Sequence, residues 1–434
     1  MRTSIAADLL GDSGVKVSEQ VLRTCVHCGF CNATCPTYVL TGNELEGPRG
    51  RIYLIKSVLE GQIETTEKTV EHIDNCLGCL ACETTCPSGV TYSHLLEEAR
   101  PRLEKQFKRP LAERLTRFLL THLLPHPGRF RLSLRLAAVG RRFNFLVPAN
   151  MRHLLKMAPA TLPAAAILAR PGKIPAQGQR RARVVLLTGC AQQVLGPQIN
   201  DATVRLLTRL GAEVVIPAAM GCCGALTFHM GERRHSLQLM ANNIRVWHAE
   251  LQRGELDAIV LNTSGCGTAV KEYAHIFRED PELAEKARAV TALVKDVSEV
   301  VAELGLGEID NKTGLRLAYH DACSLQHGQK VTRQPRELLQ QAGFEIIEVP
   351  EAHLCCGSAG TYNLLQPHFA EALQQRKAAN IRRTAPAAVA AGNIGCIEQI
   401  GGAIDAPVVH TVELLDWATG GPVPAPLASL SASP

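Results

Sequence analysis

Residues 25–36 read CVHCGFCNATCP, and 51 positions later residues 76–87 read CLGCLACETTCP. Both follow C-x2-C-x2-C-x3-C-P. Closely spaced thiolates of this kind are ligands for soft metals. Eight further cysteines form a second pattern: Cys190, Cys222, Cys223 and Cys266, then Cys323, Cys355, Cys356 and Cys396. In a secreted chain, sixteen cysteines would suggest disulfides. No signal peptide is visible, because MRTSIAADLLGDSG meets Asp8 and Asp12 before any long apolar stretch develops. No uninterrupted apolar run is long enough for a spanning helix. The expected location is therefore cytoplasmic, and the thiols point to metal or redox chemistry.

The ladder spacing is that of bacterial ferredoxins, in which the fourth cysteine ligates the neighbouring [4Fe–4S] cluster. Three cysteines spaced by two residues can wrap one cube, and the proline turns the chain away after the fourth. This assigns Cys25, Cys28, Cys31 and Cys86 to one cluster and Cys76, Cys79, Cys82 and Cys35 to the other. A pair of zinc sites is the alternative, since each ladder has four thiols. His27, inside the first ladder, is expected to pack or to hydrogen-bond beside the cluster. Each cubane passes one electron at a time, so neither can accept a hydride, and any dehydrogenase chemistry needs a flavin elsewhere. No G-x-G-x-x-G follows a strand and opens a helix, so no dinucleotide site is evident.

The elements around these cysteines differ along the chain. Residues 1–99 read as mainly helical: GPRGRIYLIKSVLEG contains an amphipathic run with Ile52, Ile55, Val58 and Leu59 on one side, and TVEHIDNC suits a helix into the second ladder. From residue 183, RVVLLTGC, AEVVIPAAMGCCG and DAIVLNTSGC are β-branched runs ending in glycine and cysteine, with helical patterns between them. That order predicts a parallel α/β unit. The unit repeats, because Cys190, Cys222 and Cys223 recur 133 residues later and Cys266 recurs 130 later. A period this long means duplicated domains. Ligands of open α/β sheets bind beyond the carboxyl ends of strands, so each set of four thiols could converge on zinc or an iron–sulfur cluster. Gly224, Gly267 and Gly357 would permit close backbone approach. Alternatively, the adjacent pairs work as dithiols, or the thiols pack as small hydrophobes. His320, His327 and His353 are local donors or acid–base groups; no residue is assigned a catalytic role.

The chain has 434 residues, 46% hydrophobic and 20% charged, which suits two or three packed domains. Aromatic content of 4% argues against nucleic-acid stacking surfaces. The net charge of +5 conceals an asymmetry: residues 100–183 hold nineteen Lys and Arg against Glu104 and Glu113, leaving the rest of the chain acidic. Within this segment Leu111, Leu115, Phe118, Leu119 and Leu123 share one helical face. It reads as a surface for an anionic membrane or an acidic partner, or as a solvated connector whose apolar faces pack on the domains. ARPGKIPAQGQRRAR at its end reads as a linker.

Two ladders followed by two CCG units resemble the iron–sulfur subunits of flavin-linked dehydrogenases: glycolate dehydrogenase (often called glycolate oxidase), anaerobic glycerol-3-phosphate dehydrogenase and heterodisulfide reductase. The glycolate oxidase iron–sulfur subunits are the nearest of these. TCVHCGFCNATCPTY (24–38), GPRGRIYLIK (47–56), CETTCPSGV (82–90), SGCG with VKEY (264–273) and HLCCGSAGTY (353–362) are similar to that family's pattern. The resemblance implies eight cubane ligands: Cys25, Cys28, Cys31, Cys35, Cys76, Cys79, Cys82 and Cys86. It implies flavoprotein partners that oxidise glycolate to glyoxylate, with electrons passed to a quinone or another carrier and contact with the inner face of the cytoplasmic membrane. Lactate or glycerol-3-phosphate flavoproteins are alternative donors; a zinc-bound scaffold is a further alternative. One departure counts against a heterodisulfide-type noncubane cluster: the C-x-x-C that would close each unit has Thr263 and Asn393 at its first position.

The expected architecture is an α+β and α/β multidomain chain. A helical two-cluster ferredoxin domain (1–99) leads through a basic helical connector (100–182) to two CCG domains with parallel strands (183–310 and 311–420) and a disordered tail (421–434).

Overall fold

The computed structural model describes residues 1–140, 159 and 161–429. The amino-terminal part is helical. α1 (Ser13–Thr24) is capped by Asp12, whose side chain accepts from the Gly14 N–H, and it ends at Cys25. α2 (Pro36–Thr41) and α3 (Pro48–Leu59) each start on a proline, whose missing N–H costs nothing in the first turn. α4 (Glu67–Asp74) leads to the second ladder, α5 (Ala81–Thr85) lies within it, and α6 (Tyr92–Gln106) closes over α1. Ile52, Ile55 and Leu59 of α3 meet Val15, Leu22, Ile73, Leu95 and Leu96 in one core.

α7 (Leu111–Leu123) forms over the expected span but faces the other way from a packed connector. Its polar side is buried: Arg117 pairs with Asp74 (3.1 Å) and Glu113 (2.9 Å) and donates to the Met230 carbonyl. Leu111, Leu115 and Phe118 are left exposed, as are Leu132, Leu136 and Val139 on α8 (Pro127–Gly140). The arginine ion pairs outweigh the apolar face because only that side meets fixed carboxylates. The expected linker also differs, because Gly172–Ile174 forms strand β1, antiparallel to β3. Asp201 accepts three backbone N–H groups just before it.

The rest is two open α/β sheets. The first runs β1-β3-β2-β4-β5, with β2 at Ala182–Leu187, β3 at Ala212–Ile216, β4 at Ala258–Leu261 and β5 at Val294–Asp296. The second runs β7-β6-β8-β9, with β6 at Arg316–His320, β7 at Glu345–Glu348, β8 at Ala388–Ala391 and β9 at Val408–His410. Apart from β1 every pairing is parallel. β2 and β8 are apolar along most of their length because helices cover both faces. Each half therefore repeats the order second-first-third-fourth. Its topological switch point lies between the first and third strands, where such sheets bind ligands.

The halves interlock. The Thr411–Ala418 helix of the second packs on the Pro197–Arg209 helix of the first, with Asp416 paired to Arg205 (2.6 Å) and Arg209 (3.1 Å). Val184, Leu206, Leu317, Leu415 and Trp417 share one core. Of the tail expected to be disordered, residues 425–427 form a turn and Leu427 is fully buried in that core; residues 430–434 lie outside the described residues. Among the described residues no helix is long and apolar enough to cross a membrane.

Candidate metal centres

The two ladders fold alike. His27 and Gly29 in the first, and Gly78 and Leu80 in the second, occupy matching positions with positive φ. That left-handed pair curls the chain so that three sulfurs face inward. A side chain at Gly29 would sit 2.7 Å from the Arg49 guanidinium, whereas Leu80 holds the matching position of the second ladder. Cys35 and Cys86 adopt nearly the same extended conformation before their prolines.

Cys25, Cys28, Cys31 and Cys86 line one hollow, with Val26, Ile52, Val90 and Tyr92. Cys35, Cys76, Cys79 and Cys82 line the other, with Arg51, Leu77 and Tyr92. Cys82 also borders the first. Burial, and next the thiols of Cys25 and Cys86, push the Cys31 thiol up to about 11. Burial, and next Cys79, Cys76 and Cys35, push Cys82 well up. Such crowded thiols ionise readily only when a cationic centre compensates them. Hydrogen bonds already point at the sulfurs: the His27 N–H donates to Cys25 (3.4 Å), the Gly78 N–H to Cys76 (3.5 Å) and the Tyr92 hydroxyl to Cys76 (3.8 Å). The donor set and its second layer fit a thiolate-ligated cluster at each hollow.

Two groups here were not singled out from sequence. Arg51 is almost wholly buried, with Nη2 on Glu46 (2.7 Å), Nε on the His72 carbonyl (2.6 Å) and Nη1 3.9 Å from the Cys35 sulfur. It occupies a core position of α3, four residues before Ile55 and eight before Leu59. A charge on the apolar face of an amphipathic helix was the available signal. Tyr92 carried no signal of its own.

The CCG thiols come together at the carboxyl ends of the strands. In the first half Cys190 and Cys222 sulfurs lie 3.4 Å apart, and those of Cys223 and Cys266 3.2 Å. In the second, Cys323 and Cys355 are 3.6 Å apart. Cys356, Cys396 and a ring nitrogen of His320 lie within 4.8 Å of one another. Gly224 and Gly357 have positive φ, and a Cβ on Gly357 would stand 2.5 Å from the Ala370 carbonyl oxygen. A Cβ on Gly267 would strike Gln329 at 2.3 Å. Thr263 donates to Gln192 (2.5 Å), whereas Asn393 donates to the Cys396 sulfur (3.4 Å). His327 bonds Thr84 of the second ladder (2.8 Å) and the His353 carbonyl (3.2 Å).

The second half abuts the ladders. Leu77 and Cys79 pack with Cys323, Cys355 and Tyr362, and the Tyr362 hydroxyl donates to the Asn75 carbonyl (2.9 Å). The first-half thiols pack instead with Trp247, Tyr273 and Phe228.

Family models match in the same order. A 4Fe-4S dicluster domain covers residues 21–90, and a cysteine-rich domain matches twice, over 184–271 and 317–401. The glycolate oxidase iron-sulfur subunit of Escherichia coli is 42% identical over 96% of this chain and 99% of its own length. A probable glycolate oxidase iron-sulfur subunit of Bacillus subtilis is 34% identical over 93% and 96%. Lactate utilization protein A of Oceanobacillus iheyensis is 28% identical over 54% of this chain and 96% of that one. A crystal structure of a hypothetical protein from Helicobacter pylori superposes with a TM-score of 0.51 at 10% identity, over 96% of this chain and 75% of that one, a likeness of fold alone. With ladders, duplicated cysteine-rich units and nearly every residue between them matched, the chain belongs to the family of glycolate oxidase iron–sulfur subunits.

Proposed function

We propose that this chain holds two [4Fe–4S] clusters, on Cys25, Cys28, Cys31 and Cys86 and on Cys76, Cys79, Cys82 and Cys35, and serves as the electron-transfer subunit of a glycolate dehydrogenase complex. One observation carries this: eight thiols fall into two hollows, each drawing its fourth sulfur from the other ladder. A bound cubane stores and releases one electron at a time. The chain's own residues tune that chemistry. Ile52 and Val90 line the first site, Tyr92 borders both, and the buried Arg51 charge beside Cys35 favours the more negative, reduced state of the second. A flavin is expected only on partner subunits, which would oxidise glycolate to glyoxylate and hand electrons through this chain to a quinone or other acceptor. Lactate or glycerol-3-phosphate flavoproteins are the alternative donors; a zinc-bound scaffold is the third reading.

Anaerobic co-purification with the flavin subunits tests this. The expected result is about eight ladder irons per chain, a paramagnetic signal on reduction, and glycolate-dependent dye reduction. Zinc in the ladders with no reducible cluster overturns the relay. An active relay that ignores glycolate overturns the substrate alone.

We assign the α7–α8 face to peripheral docking on an anionic membrane surface. Its exposed stripe includes Leu111 (80% exposed), Phe118 and Leu136, and its exposed charges Arg114, Arg129 and Arg135 are all cationic. Leu115→Glu with Phe118→Glu should abolish sedimentation with anionic vesicles and leave the melting temperature unchanged. Retained vesicle binding, or loss of flavin-subunit binding instead, overturns the lipid assignment.

A further inference from the structure

His320, the last residue of β6, is a buried histidine without a hydrogen-bond partner at Nε2. Only 1% of it is exposed. A buried imidazole nitrogen ordinarily finds a donor or acceptor. Here the nearest chemistry is sulfur: a ring nitrogen of His320 and the sulfurs of Cys356 and Cys396 lie within 4.8 Å of one another, all buried. Ligands of one tetrahedral zinc stand about 2.0 to 2.3 Å from the metal, so their mutual separations fall just under 4 Å. This trio needs only small rotations to close on an ion.

The surroundings suit a metal as well. Asn393 Nδ2 donates to the Cys396 sulfur (3.4 Å), an outer-layer bond of the kind that orients ligands and stabilises thiolate. Lys377 is 2% exposed, donates to the Glu351 carbonyl (2.8 Å), and lies where the Cys355 and Cys356 charges act on it. Three thiolates around a divalent ion leave one net negative charge, and one buried ammonium balances it. At the end of the corresponding strand β2, 133 residues earlier, Leu187 stands in place of His320, in the apolar core.

We infer that the second CCG half is a mixed imidazole–thiolate site for a single borderline-soft divalent ion, best matched by Zn2+, with His320, Cys356 and Cys396 as ligands and Cys355 in the fourth position. Among the described residues the first half brings no three such ligand atoms within 4.8 Å of one another, and it takes no part in the site. The site stands whether or not the ladders relay electrons from glycolate, because its metal is counted separately from ladder iron.

The full chain, purified anaerobically with its ladders loaded, is assayed for every transition metal by mass spectrometry. The expected result is about one zinc per chain beside the ladder irons. His320→Leu, which copies the first half, should lower zinc at least tenfold and leave the iron count and the reduced-state paramagnetic signal unchanged; His320→Cys should restore it. X-ray absorption at the zinc edge of the unaltered protein should show one nitrogen and three sulfur neighbours. That reading survives even if His320→Leu fails to fold. Absence of any metal beyond the ladder irons overturns the inference, as does zinc in an all-sulfur shell, zinc retained by folded His320→Leu, or extra iron in place of zinc.

Discussion

The two CCG halves share strand order, cysteine spacing and the left-handed glycine after the paired cysteines, yet their surroundings diverge. Around the first set stand Leu187, Ile244, Trp247 and Phe228, with Asn243 donating to the Cys222 carbonyl (3.0 Å) and the buried His229 under the influence of the Cys223 charge. Around the second stand His320, Lys377 and Asn393, and Cys323 and Cys355 pack against Cys79 of the second ladder. A duplicated frame has kept its thiols, while among the described residues only the second copy sets a ring nitrogen within 4.8 Å of two of them, and its thiols pack against the second ladder. The difference teaches that repeat symmetry in the ligands does not carry symmetry of function, because function depends on what the rest of the chain packs against each copy.

The contrast is tested most severely at the ladder that touches the second half. Cys35→Ala should strip the cluster held by Cys76, Cys79 and Cys82, lowering iron by about four per chain. The signal of the cluster on Cys25, Cys28 and Cys31 should persist. Selective loss of that cluster instead would refute the crossed ligation. Next in size is the glycine pair. Gly357→Ala meets a backbone carbonyl at 2.5 Å, whereas Gly224→Ala meets Met240 and the Ser236 carbonyl at 3.0 Å. Denaturant unfolding should show a loss of about 3 to 5 kcal/mol for the first and about 1 to 2 for the second. Equal losses would mean that the two turns are equally tight.

The capping boxes after β5 and β9 offer a pH contrast. Burial pushes the Glu413 carboxyl up to about 7. Its folded value thus lies above the unfolded one, so the folded state binds the extra proton between them, and its ionisation weakens the fold as pH rises through 7. Glu413→Gln should therefore gain about 1 to 3 kcal/mol relative to its parent on going from pH 5 to pH 8. Glu299, at the matching position, is paired with Lys271 (3.3 Å), and Glu299→Gln should show no such gain. The smallest effect is expected for Tyr362→Phe, which removes the bond to the Asn75 carbonyl and should cost about 1 kcal/mol. His229→Phe, in the first half, should leave the docking of the ladders on the second half untouched.

Much of this was legible in the chain. The β-branched runs at 183–190, 212–224 and 257–266 become strands because few other elements accept such residues buried on both faces. The ladder cysteines are brought together by local turns, and their spacing carries that information within a dozen residues. Less local features were not legible. The apolar face of α7 reads either as a docking surface or as packing, and only the Arg117 bonds to Asp74 and Met230 show it turned outward. The segment at 172–174 reads as linker and becomes an edge strand because β3 offers it an open edge. His320 was one of three nearby histidines, with nothing in its spacing to separate it from His327 or His353.

The sequence by itself determined the sulfur ladders, the duplication and the strand ends on which the CCG thiols stand, because each is encoded in short-range spacing and hydrophobic period. Only the tertiary structure decided that the polar side of α7 turns inward, with Arg117 on the Met230 carbonyl. It also decided which half lies against the second ladder, and which histidine is left buried among thiols without a partner. Those outcomes depend on packing between segments hundreds of residues apart, where no local pattern constrains the answer.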